Sequence, residues 1–79
     1  MARHTTFVVQ SYQRDLAGFL VADRPVTARD ADDAKRRAQS LKDRRAGVIA
    51  FSRTGDGDLS EYDDAVILAN YGDIPIEDG

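Results

Sequence analysis

The sequence predicts an α+β domain of two layers, in the order β-β-α-β-β, with an antiparallel sheet and one helix on one sheet face. Three observations predict it. Alanines and a leucine recur at helical spacing in the middle of the chain, at Ala31, Ala34, Ala38 and Leu41. Runs rich in β-branched and aromatic residues flank that stretch on both sides. Turn residues separate those runs at short intervals. One helix against several short strands is an arrangement that two layers bury well.

Thr5 to Tyr12 reads as the first strand, after an end expected to fray over residues 1–4. Gln13 to Gly18 is a polar turn, and Phe19 to Ala22 a second strand joined to the first as a hairpin. Pro25 has no amide proton, so the chain there lies on an edge or leaves the sheet. Val26 to Arg29 is expected to lead into the helix. The helix is expected over Asp30–Arg45. Asp30 is its N-cap with Asp33 three residues on, acids fill its first turn, Arg44 and Arg45 its last, and Gly47 ends it. Val48 to Arg53 reads as the third strand.

The next segment admits two readings. Ala65 to Tyr71 is almost continuously apolar and β-branched at Val66 and Ile67, as in a fourth strand. Leu59, Tyr62, Val66 and Ala69 also have helical spacing, which would give the alternative order β-β-α-β-α. The β-branched run favours the strand. A tail from Pro75 is expected to be exposed, and 76–79 to fray.

Seventy-nine residues make a single small domain. Such a chain buries only about 60% of its unfolded surface, so its core is small. It has no cysteine, hence no disulfide and no thiolate chemistry. No apolar run is long enough for a membrane span, and the first residues lack the pattern of a signal peptide, so a soluble cytoplasmic protein is expected. The net charge of −3 conceals a separation: Arg24 to Arg45 carries eight basic and four acidic residues, while Thr54 to Gly79 carries eight acidic and none basic. The acidic third argues against a generic nucleic-acid binder.

Candidate chemistry is sparse. Asp56, Asp58, Ser60, Glu61, Asp63 and Asp64 form the most site-like cluster, and oxygens at alternate positions within it resemble a calcium loop. Glu61 stands where the turn glycine belongs and Ile67 where the bidentate glutamate belongs, so a solvated acidic turn is the expectation, with weak metal binding the only alternative. Gly55-Asp56-Gly57 lacks the spacing of a phosphate loop. His4 is the only histidine and has no partner that would make a triad or a zinc site. No catalytic residue, cofactor or metal is expected, and no enzymatic activity.

The strands do not alternate cleanly between apolar and polar, so one helix cannot cover both sheet faces. The expected function is therefore that of a small interaction module. It is expected to self-associate, as a homodimer, or to bind another protein through the uncovered face, with Val8, Tyr12, Leu20, Val48 and Leu68 as contact residues. The alternative is a small nucleic-acid-associated regulator using the basic helix flank, with contacts from Arg37, Arg44 and Arg45, though no aromatic residues are interleaved there for base stacking.

The stretch Gly47-Val48-Ile49-Ala50-Phe51-Ser52-Arg53-Thr54-Gly55-Asp56, then Glu61-Tyr62-Asp63-Asp64, Val66-Ile67-Leu68-Ala69 and Tyr71-Gly72-Asp73-Ile74-Pro75, resembles short uncharacterised proteins of GC-rich bacteria over about the C-terminal half. The resemblance implies a strand, not a second helix, after the acidic segment. It implies no activity.

Overall fold

A computed structural model describes residues 4–55 and 65–75. The elements are β1 (His4–Arg14), β2 (Leu20–Ala22), β3 (Val26–Ala28), α1 (Ala31–Leu41), β4 (Gly47–Gly55) and β5 (Val66–Gly72). They form one antiparallel sheet of five strands with a helix packed on it, the expected α+β class. The ambiguous apolar run is the strand β5, paired along β4. The acidic loop Asp56–Asp64 and the tail 76–79 lie outside the described residues.

β1 is the axis of the sheet. Along one edge it pairs with β4 from His4↔Gly55 to Tyr12↔Gly47. Along the other it pairs with β3 at Phe7–Val9 and with β2 at Tyr12–Arg14. β2 and β3 are thus two pieces of one interrupted edge, separated by Asp23, Arg24 and Pro25. Three expectations are corrected here. His4 belongs to β1. Gln13 and Arg14 continue β1 and are not part of a turn. Val26–Ala28 is a strand and not a lead-in to the helix.

The helix begins as expected. The Asp30 carboxylate accepts from the Asp33 amide at 2.7 Å, and Asp33 reaches back to accept from the Arg29 amide at 3.0 Å. It ends at Leu41, four residues before Arg45. Amides of Lys42 and Arg44 bond carbonyls three residues back, tightening the chain into a turn. Beyond it Arg45 donates to Asp23 at 3.0 Å and the Ala46 amide to the Tyr12 carbonyl at 2.9 Å. These tertiary bonds pull the chain off the helix axis. Gly47, expected as a helix stop, instead opens β4.

The core lies between helix and sheet. It comprises Ala34 and Ala38 from α1, Val9 from β1, Ala28 from β3, and Val48 and Ala50 from β4. Phe7, Leu41, Leu68, Ala69 and Tyr71 pack around it. The small side chains let the helix lie close to the sheet. Lys42 places its ammonium 5.6 Å from the centre of the Tyr71 ring, a cation–π contact at the rim.

Two carboxylates fasten the periphery. Asp23 fills the gap between β2 and β3, accepting from Ser11 (2.8 Å), Gln13 (2.8 Å) and Arg45. The Gln13 and Ser11 hydrogen bonds and the Arg45 guanidinium hold its carboxyl below the ordinary range. Asp33, only 4% exposed, accepts from the Arg29 amide and from the Arg37 and Arg36 guanidiniums at 3.0 and 3.1 Å. The Arg29 amide bond, then Arg37, lower its pKa from 3.8 to about 2. A carboxylate with a depressed folded-state pKa stabilises the fold above its unfolded pKa and loses that contribution as pH falls through the folded value. Urea unfolding between pH 5 and 2 is therefore expected to show stability falling below about pH 4. Asp33→Asn is expected to flatten that slope; an unchanged slope would remove the assignment.

Candidate functional site

The sheet face opposite the helix is set by register. With Val9, Ala50 and Val48 turned to the helix, their neighbours Val8, Gln10 and Tyr12 in β1 and Ile49, Phe51 and Arg53 in β4 turn away from it. Cross-strand pairs Val8↔Phe51 and Gln10↔Ile49 continue into Phe51↔Ile67 and Ile49↔Asn70. A bulge makes that continuity possible. Between Ala50 and Phe51 the register to β5 shifts, and Leu68 is the extra residue. Leu68 and Ala69 consequently both pack against the core, while Ile67 and Asn70 share the outer face.

This face is concave. A depression of about 430 Å³ is floored by Gln10, Tyr12, Ile49 and Phe51 and bounded by Arg53, Ala65 and Ile67. Ile74 and Pro75 complete its wall. They reach it because Gly72, at φ +69°, turns the chain at the end of β5, and the Asp73 amide then bonds the Ala46 carbonyl at 2.8 Å. Ile67 is 50% exposed on the rim. The polar groups of the lining are Gln10, Tyr12 and Arg53, among mostly apolar side chains. That composition suits adsorption of an apolar surface with a few orienting hydrogen bonds.

Of the five expected contact residues, Val8, Tyr12 and Leu20 do share the uncovered face. Val48 does not: it is fully buried beneath the helix. Leu68 does not either, because the bulge turns it to the core. Alternation along β4 separates Ile49 and Phe51 from Val48 and Ala50, but only the helix decides which pair is covered. Ile49, Phe51, Ile67, Ile74 and Pro75 are the residues that the sequence reading missed.

The three basic residues expected to meet nucleic acid stand on the helix and in the turn that follows it. Arg37 is bonded to Asp33 and Arg45 to Asp23, and Arg44 lies in the turn beyond the helix. No group of three or more acidic, histidine or cysteine side chains able to hold a metal occurs among the described residues. No helix among them is long and apolar enough to cross a membrane.

Comparison of the chain with protein-family models, curated proteins and solved structures finds no match.

Proposed function

We propose that the chain is a small interaction module that associates with a second copy of itself through the sheet face opposite the helix. The observation that supports this reading is the apolar depression in that face, formed by Tyr12, Ile49, Phe51 and Ile67 and walled by Ile74 and Pro75. A sheet with one helix covers one face; the other, where apolar and concave, gains most from burial against a like surface. Among the described residues of the lining no nucleophile stands paired with a base, and the proposal is one of binding.

Sedimentation equilibrium over a range of concentrations tests it. The wild-type chain is expected to dimerise in the micromolar range. Ile67 sits half-exposed on an edge strand, so Ile67→Asp leaves the core untouched. It is expected to weaken association at least tenfold, or about 1.4 kcal/mol. A wild-type chain that stays monomeric up to hundreds of micromolar overturns the reading.

A further inference from the structure

The hairpin joining β1 to β2 carries its apolar residues outward. The helix packs against β1, β3, β4 and β5 but does not reach β2, so the hairpin end extends past the core. At that end Leu16 is fully exposed, and Phe19 and Val21 are 70% and 48% exposed. The tip is nonetheless firmly built. The Asp15 carboxylate accepts from the amides of Ala17 (2.9 Å) and Phe19 (3.0 Å). The Asp15 amide bonds the Phe19 carbonyl at 2.9 Å, and the Gly18 amide the Asp15 carbonyl at 3.0 Å. Gly18 takes φ +89° to close the turn, and Arg14 ties the Gly18 carbonyl on one side and Asp73 on the other. A rigid turn holding leucine and phenylalanine in water loses little conformational entropy when those side chains are buried.

Building on the self-association proposed above, we infer that the tip Leu16–Phe19 of one copy seats in the sheet-face depression of a second copy, and that the two copies exchange tips about a two-fold axis. The same chain offers an apolar projection that its own core does not cover and an apolar hollow of about 430 Å³. The charges match as well. Asp15 stands beside the projecting residues, and among the described residues of the hollow's lining Arg53 carries the opposite charge. A two-fold exchange uses both features twice and closes the assembly, where one-way insertion would continue into a filament.

The test has two parts. Sedimentation compares wild type with Leu16→Asp/Phe19→Ser, whose changes lie at exposed positions, with circular dichroism confirming the fold. At concentrations low enough for both to be monomeric the double variant is expected to keep the wild-type melting transition, and at higher concentrations to dimerise at least tenfold more weakly. The chain has no native cysteine, so Leu16→Cys and Ile67→Cys give single-thiol proteins. Mixed at equal concentration with a short bis-maleimide, they are expected to give the mixed cross-link in preference to either self-linked product. A tip variant that dimerises as tightly as wild type, or self-linked products that dominate, overturns tip exchange and leaves the face interaction standing. A monomeric wild type overturns both. Wild-type binding to phosphatidylcholine vesicles that the tip variant loses, with self-association unchanged, assigns the tip to a lipid surface and overturns the exchange.

Discussion

Gly47→Ala is expected to destabilise the fold by about 3 kcal/mol, near the top of the usual range for a point substitution. The reason is space and not conformation. A Cβ on Gly47 would lie 1.7 Å from the Asp73 carbonyl oxygen and 2.6 Å from its carbon. Both are backbone atoms, so no side-chain rotation relieves the contact. Gly47 pairs directly with Gly72, whose own Cβ would lie 2.3 Å from the Ala46 carbonyl oxygen. The ends of β4 and β5 therefore approach at two facing glycines. Accommodating a methyl group means parting them and losing the Asp73–Ala46 hydrogen bond that follows the pair. The wall made by Ile74 and Pro75 starts from that bond, so the change is also expected to widen the sheet-face depression and weaken the proposed self-association. Gly18→Ala is the control: Gly18 has positive φ but open space around it, and strain alone should cost about 1–2 kcal/mol. Urea unfolding of both variants decides. A Gly47→Ala cost no larger than that of Gly18→Ala would show that the strand ends can part freely.

The parts of the fold legible in the sequence were those encoded within a few residues. The helix start was legible because Asp30 and Asp33 satisfy amides three or four positions away. The helix end was not, because Arg45 leaves the axis for Asp23, a partner 22 positions back in the chain. β3 has only three residues and no pattern of its own; its pairing to Phe7–Val9 alone makes it a strand. The ambiguous Val66–Gly72 segment became a strand through its ladder to β4, which a helix would forgo.

The candidate site was half legible for a related reason. Alternation divides each strand into two sets of residues but does not say which set the helix covers. Val48 and Ala50 take the helix because their residues are small enough for its alanines to approach, and Ile49 and Phe51 are left outside. On β5 a single bulged residue reverses the alternation, so Leu68 could not be placed by counting. The hairpin turn, read as polar, hides Leu16 at its apex, where exposure depends on how far the helix extends over the sheet.

Ala38→Leu is expected to cost about 2–3 kcal/mol by overpacking. That corresponds to a drop in Tm of roughly 10–20 °C for a domain of this size. Alanine and leucine have nearly the same helix propensity, so the loss reports packing alone. Ala38 and Ala34 are fully buried against Ala50, Val48 and Val9, each at most 1% exposed. An isobutyl group there has no space to enter, because interiors are packed to crystal-like density. The helix must lift, and the capping bonds of Asp33 to Arg29 resist the movement at its N-terminus. Gln39→Leu, one residue on and exposed, is the matched control and should change stability by less than about 0.5 kcal/mol. Thermal unfolding of the pair checks it, and an Ala38→Leu variant within 1 °C of the control would mean that the helix does not sit close to the sheet. The same variant also separates the two faces of the sheet. It alters only the covered side, so at temperatures where it stays folded the dissociation constant of the proposed dimer should match wild type, whereas Ile67→Asp should do the reverse.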